Sequence, residues 1–156
     1  MLPLCGLLLL CSPAFAADEA PAAKTAAPAS EVPKEQSSVT RGKVIIDGKS
    51  IDYTATAGTL LLKNDKGDAI GSMFYVAYTR DGVQDPSTRP VTFLYNGGPG
   101  SASLWLQMGS VGPVRVVTTD AGYTPPAPYQ VVSNQYSLLD KTDLVFIDAM
   151  GTGFSK

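Results

Sequence analysis

The stretch from Arg89 to Ser103 constrains the fold of this chain more than any other, because it joins an apolar run directly to a glycine loop. The run V-T-F-L-Y, which begins at Val91, is β-branched and aromatic with one weakly polar position, so it predicts a strand buried on both faces. The loop N-G-G-P-G, which begins at Asn96, cannot continue a strand. Residues Ser101 to Gln107 then predict one or two helical turns, with Pro99 at a first-turn position.

A strand, a glycine turn and a helix start leave backbone N–H groups directed beyond the sheet edge, where they favour negative charge. Three interpretations compete. A permanent phosphate site requires G-x-G-x-x-G or a Gly-Lys-Ser/Thr pattern, and neither is present. A tight turn without function would be the ordinary explanation of a bare Gly-Gly pair. A site for a transient oxyanion fits the flanking strand and helix start better than either alternative.

Four blocks of sequence occur in an order that resembles the N-terminal part of the serine carboxypeptidases, a branch of the α/β-hydrolases. The blocks are R-P-V-T-F-L-Y-N-G-G-P-G-S from Arg89, G-P from Gly112, N-Q-Y-S from Asn134, and F-I-D-A-M-G-T-G-F-S from Phe146. The resemblance is weaker before Pro90 and absent before about residue 41. In an α/β-hydrolase the loop after the third strand supplies one amide of the oxyanion hole.

The resemblance assigns roles to four positions. It implies that the Gly98 amide helps to form the oxyanion hole, and that Asn96 and Gly97 bind the terminal carboxylate of the substrate. It places Ser110 where the family commonly has a glutamate that holds this carboxylate, which puts strict C-terminal specificity in doubt. The family also commonly has Trp at the position of Leu94 and Cys at that of Ser101.

Catalysis by a serine hydrolase requires a nucleophile on an elbow turn, a general base and an orienting acid. The chain contains no G-x-S-x-G motif and no histidine, so Ser101, Ser103 and Ser155 have no base and are not predicted to be nucleophiles. We therefore expect an inactive first portion of a longer serine-type carboxypeptidase that hydrolyses peptides through a serine ester. The alternatives are a related esterase or acyltransferase, and a non-catalytic secreted remnant that binds carboxylates.

The fold predicted for residues 41–156 is an incomplete α/β-hydrolase, with antiparallel strands leading into a mostly parallel sheet. Asp47-Gly48 and a turn at residues 64–67 separate strand patterns. The aromatic residues of the third strand, among them Phe74, Tyr75 and Tyr78, are expected to pack in the sheet. The Leu144–Ile147 strand should flank Val91–Tyr95, and Asp148 at its end should satisfy loop amides. An unpaired edge on Val91–Tyr95 would make the isolated chain poorly soluble.

The N-terminal segments have a different composition. Residues 1–16 are apolar but too short to span a bilayer, and they predict a signal peptide cleaved before Ala17. Residues 17–40, rich in alanine and proline, predict a flexible linker. Both cysteines, Cys5 and Cys11, fall within the signal segment. A mature chain without disulfides fits a periplasmic or secreted bacterial protein.

Composition and charge restrict the partners. The net charge is -2 and the basic residues are not clustered, which argues against nucleic acid and anionic membranes. We expect a peptide or small acyl substrate, no cofactor and no metal, and no membrane association after signal cleavage. The sequence does not predict an oligomeric state.

Overall fold

A computed structural model of the chain describes residues 34–97, 99–118, 122–123 and 126–156. The predicted signal peptide, residues 1–16, lies outside the described residues, as does most of the predicted linker, residues 17–40. Strand β1 begins at Ser37, inside the segment predicted to be linker. No helix among the described residues is long and apolar enough to cross a membrane.

Three long strands form the first part of the sheet, as the sequence predicted. They are β1 (Ser37–Ile46), β2 (Lys49–Lys63) and β3 (Ala69–Arg80), and each pairs antiparallel with the next. The first turn has Asp47 at φ 49° and Gly48 at φ 73°. Positive φ at both central residues matches the twist of a tight hairpin, which explains the Asp-Gly pair at this point.

Two shorter strands, β4 (Val91–Leu94) and β7 (Asp143–Ile147), complete a five-stranded sheet. The strand order is β1-β2-β3-β7-β4. Strand β7 pairs antiparallel with β3 and parallel with β4, so the predicted change from antiparallel to parallel pairing occurs across β7. The predicted neighbour relation between β4 and β7 is confirmed.

An ion pair joins the starts of these two parallel strands. The Arg89 Nε lies 2.6 Å from Asp143 Oδ1, and both side chains are largely buried. The guanidinium also donates to the carbonyl of Leu139. Because Arg89 immediately precedes β4 and Asp143 opens β7, the contact fixes their register at the end opposite the glycine loop.

One face of the sheet carries the core. Its buried residues come from β1, β2, β3, β7 and a 3₁₀ turn (Leu138–Asp140), and they are Val44, Ile46, Ile51, Tyr53, Tyr78, Leu139, Leu144 and Phe146. Tyr78 meets the rings of Tyr53 and Phe146 edge-on, at centroid distances of 5.6 and 5.9 Å. The ring centroids of Phe74 and Phe154 lie 5.1 Å apart. The expectation that the aromatic residues of β3 pack in the sheet is therefore met for Phe74 and Tyr78.

The prediction that β4 is buried on both faces is wrong among the described residues. Thr92 and Leu94 are half-buried toward the core, whereas Val91 is 50% and Phe93 63% exposed. The face that Val91 and Phe93 share is thus at least half exposed at both residues. Strand β4 is also an edge strand here, because β7 is its single partner within the described sheet.

The helix after the glycine loop begins later in the chain than predicted. Helix α1 covers Leu104–Leu106 and continues into a π-helical turn at Gln107–Val111. Pro99 and Ser101 precede it in the loop, so the prediction that Pro99 lies in the first helical turn is wrong. The amide of Ser103, just before the helix, donates to the side chain of Asp148, the residue after β7. A second 3₁₀ turn covers Pro86–Thr88.

The proline-rich stretch between Gly112 and Ser133 contains two short strands that pair with each other. Strand β5 (Val114–Val116) pairs antiparallel with β6 (Val131–Ser133) in a separate two-stranded sheet. The Ser133 hydroxyl accepts a hydrogen bond of 3.0 Å from the Ile45 amide. This contact attaches the hairpin to the outer strand β1.

Candidate functional site

The glycine loop lies at the carboxyl ends of the parallel strands β4 and β7, the edge where open α/β sheets bind ligands. Ser103 closes the loop and is 2% exposed. Its hydroxyl donates to the carbonyl of Ile147 at the end of β7 and accepts from the Asn96 amide at 3.3 Å. One buried hydroxyl thus bridges the two strand ends.

Asp148, which follows β7, binds the backbone of the same loop through its carboxylate. Its Oδ1 accepts from the Ser103 amide at 2.8 Å, and its Oδ2 accepts from the Phe154 amide at 3.2 Å. Asp148 as a whole is 6% exposed. A Cβ on Gly153 would lie 1.9 Å from Asp148 Oδ2, so only glycine fits beside this carboxylate. The expectation that Asp148 satisfies loop amides is confirmed.

Asn96 uses its side-chain amide inside the loop. The Nδ2 group donates to the Ser101 hydroxyl at 2.6 Å and approaches the Ala102 carbonyl at 3.5 Å. Asn96 was predicted to bind a substrate carboxylate, but in the structure its side-chain amide bonds to other residues of the loop. These contacts bring Asn96 and Ser101 together, a pairing that the sequence did not suggest.

Gly97 is exposed, and a Cβ built on it meets nothing within 4 Å. Its amide has no hydrogen-bond acceptor among the described residues. Such an amide is available to an incoming anion. Gly98, which carries the predicted oxyanion amide, lies outside the described residues.

Ser110 lies in the exposed part of the π-helical turn. Its carbonyl accepts from Asn134 Nδ2 at 2.6 Å, and the same amide donates to the Gly112 carbonyl at 2.8 Å. No hydrogen bond joins Ser110 to Asn96 or Gly97, all three being described residues. Ser110 is therefore an exposed residue of the turn, and its carbonyl group is bonded to Asn134.

The N-Q-Y-S block acts as a clamp on this turn, a role that sequence reasoning missed. Asn134 is fully buried, and the Ser137 hydroxyl donates to the Val111 carbonyl at 3.0 Å. Gly112 is required, because a Cβ there would lie 2.0 Å from the Gln107 carbonyl oxygen. A buried asparagine needs partners for its amide, but the burial of Asn134 cannot be seen in the sequence.

The last block also has a structural role. The Ser155 hydroxyl donates to the Asp148 carbonyl at 2.8 Å and accepts from the Phe74 amide at 2.8 Å. Ser101, Ser103 and Ser155 are thus all engaged in hydrogen bonds with neighbouring residues. No group of three or more metal-ligating side chains occurs within the part of the chain that the structure describes.

Comparisons with known proteins agree with this geometry. The sequence profile of serine carboxypeptidases matches residues 49–156. Serine carboxypeptidase-like 33 of Arabidopsis thaliana is 35% identical over 74 residues, which make up 46% of this chain and 14% of that protein. The crystal structure of Kex1(delta)p, a prohormone-processing carboxypeptidase from Saccharomyces cerevisiae, aligns with a TM-score of 0.52 and 29% identity, covering 65% of this chain and 20% of that one.

The chain therefore spans a small part of the length of each of these relatives. The sheet order, the glycine loop after β4, and the profile match over more than half of the sequence all lead to one assignment. The chain has the α/β architecture of the N-terminal part of an α/β-hydrolase and belongs to the serine carboxypeptidase family.

Proposed function

We propose that this chain supplies the substrate-facing glycine loop of a serine-type carboxypeptidase, which hydrolyses peptides by acyl transfer through a serine ester. Membership of the family supports the reaction class. The observation that carries the proposal is the exposed Gly97 amide, which has no acceptor among the described residues and follows β4 at the ligand-binding edge of the sheet.

The proposed roles divide the loop by position. Gly98 provides an oxyanion-hole amide, and Gly97 with Asn96 binds the terminal carboxylate of the substrate. One oxyanion donor is worth about 3 kcal/mol of transition-state stabilisation when its partner donor is present. The nucleophile and the base come from residues outside this chain, so we expect the 156 residues alone to be inactive.

A related esterase or acyltransferase is the second candidate, and Ser110 favours it. The exposed Ser110 offers no carboxyl group to share a proton with a substrate carboxylate. Selectivity for a free C-terminus would then be weaker than in a carboxypeptidase with an acid at this position.

We propose that the protein is exported and that the signal peptide is cleaved before Ala17, so that the reaction takes place in the periplasm or outside the cell. Mass spectrometry of the protein purified from the producing cells tests this directly. An N-terminus at Met1 would contradict export by cleavage.

Gly97→Ala tests the loop. The Cβ has open space and the backbone needs no positive φ, so the variant should fold like the wild type. The added methyl group obstructs the amide, and we expect KM for peptides with a free C-terminus to rise several-fold in the product of the complete reading frame. Gly109→Ala is the matched control, because its Cβ also meets nothing within 4 Å.

The product of the complete reading frame also distinguishes the candidate functions. Labelling with a fluorophosphonate supports serine acyl chemistry, and replacement of Gly98 by valine should slow the labelling. Hydrolysis of esters with no preference for a free C-terminus would favour the esterase. Binding of C-terminal peptides without any labelling would favour a non-catalytic carboxylate-binding protein and contradict the proposed reaction.

A further inference from the structure

The loop contains the single Asn-Gly pair of the sequence, Asn96-Gly97. We propose that Asn96 is a site of spontaneous deamidation, and that the hydrogen bonds of its side-chain amide to Ser101 and Ala102 slow the reaction. The site would be converted slowly to aspartate and isoaspartate, and Ser101 would set the rate.

The chemistry requires only water. The Gly97 amide nitrogen loses its proton to solvent base and attacks Asn96 Cγ, forming a new C–N bond. The Cγ–Nδ2 bond breaks, and ammonia leaves after taking a proton from water. Water then opens the cyclic imide at either carbonyl and gives an aspartyl or an isoaspartyl residue, so the net change is addition of water and loss of ammonia.

The attacking atom is unusually accessible. Gly97 is exposed, no atom beyond its two chain neighbours lies within 4 Å of its Cβ position, and its amide has no acceptor among the described residues. A free amide loses its proton to solvent more readily than one held in a hydrogen bond. The absence of a side chain on residue 97 also leaves the path to Cγ unobstructed.

The other two asparagines lack these features. Asn64 precedes Asp65, and its Oδ1 accepts from the amides of Lys66 and Asp68 at 3.0 and 2.9 Å. Asn134 precedes Gln135 and is fully buried, with its amide engaged by two carbonyls. They serve as internal controls within one protein.

The restraint on Asn96 comes from the loop. Attack requires the side chain to turn its carbonyl carbon toward the Gly97 nitrogen. The 2.6 Å bond from Nδ2 to the Ser101 hydroxyl and the 3.5 Å approach to the Ala102 carbonyl restrict this turn. Removal of the Ser101 hydroxyl should therefore release the side chain.

Deamidation would alter the loop in two ways. A carboxylate at residue 96 would face the Ala102 carbonyl, which now lies beside a donor. An isoaspartyl link would add a methylene to the backbone before Gly97 and shift its amide. Loss of carboxylate binding on ageing rests on the proposed function, whereas the deamidation itself does not.

The test uses the chain itself, incubated at mildly alkaline pH and digested for mass spectrometry. We expect the mass gain that replaces NH₂ by OH to accumulate at Asn96 faster than at Asn64 or Asn134. Ser101→Ala should accelerate it several-fold, and Ser101→Thr, which keeps a hydroxyl, should restore the wild-type rate. Ser87→Ala, which removes a hydroxyl bonded to Asp85, is the matched control and should have no effect.

Gly97→Ala should suppress the mass gain, because the methyl group hinders attack. An unchanged rate in Gly97→Ala, no preference for Asn96 over Asn64, or equal rates in wild type and Ser101→Ala would each overturn the inference. Circular dichroism of every variant establishes that a faster rate does not come from unfolding. Deamidation in a protein that shows no fluorophosphonate labelling would leave this inference standing and remove the proposed function.

Discussion

Two residues outside the glycine motif hold the loop in place. Ser103 joins the ends of β4 and β7 through its hydroxyl, and Asp148 fixes the Ser103 amide through its carboxylate. Each contact is local to the strand ends, and neither involves the Gly97 amide. The position of that amide therefore depends on buried groups that do not contact a ligand.

Replacement of Asp148 by alanine should destabilise the protein. The buried Ser103 amide would lose its acceptor, and an unpaired buried donor costs about 1 to 3 kcal/mol. Urea denaturation should show this loss in the free energy of unfolding. Asp148→Asn keeps one acceptor oxygen and should lose less, and equal stability of Asp148→Ala and wild type would contradict the role assigned to the carboxylate.

At the scale of elements, the short helix α1 and its π-helical turn are attached to the sheet through Tyr78 on β3. Gln107 Nε2 donates to the Tyr78 hydroxyl at 2.7 Å. Burial raises the pKa of Tyr78 above 10.0, and the Gln107 contact acts in the opposite direction. Burial, followed by the interaction with Tyr78, also raises the pKa of Tyr53.

The raised pKa values of Tyr53 and Tyr78 predict that the protein loses stability at alkaline pH. Folding favours the neutral phenols, so their contribution is complete below pH 10.0 and is lost as the pH rises through the raised pKa values. Tyr78→Phe should cost about 1 kcal/mol at neutral pH through the lost hydrogen bond, and should lose less additional stability above pH 10.0.

Urea titrations at neutral and alkaline pH measure both effects. Tyr129→Phe is the control, because Tyr129 is 62% exposed. The same alkaline loss in Tyr78→Phe and wild type would show that this phenol is not responsible.

At the scale of the whole molecule, the described sheet has one covered face and one open face. The open side of β4 carries Val91 and Phe93, and its outer edge has no partner strand among the described residues. An apolar edge strand of this kind pairs readily with another chain. We expect the 156-residue chain to self-associate in solution.

Phe93→Lys should reduce this association, because a charge on an edge strand opposes pairing. Tyr129→Lys makes the same change in charge at a residue of similar exposure, and should not reduce it. Light scattering during gel filtration measures the mass. A monomeric wild-type chain that melts cooperatively would contradict the expectation.

Much of the fold followed from local patterns in the sequence. The Asp47-Gly48 turn and the three antiparallel strands depend on short-range geometry, which turn residues and alternation reveal directly. The neighbour relation of β4 and β7 followed from the family resemblance. The site was predicted as a loop, but Gly98, its central residue, lies outside the described residues.

Sequence patterns by themselves determined the strands, the hairpin turns and the point where the glycine loop interrupts β4, because these depend on neighbours along the chain. Only the tertiary structure decided that one face of β4 is open, that Ser103 closes the loop, and that Asn134 clamps the Gly112 turn. These features join residues far apart in sequence. Their burial and hydrogen-bond partners exist only once the sheet has assembled.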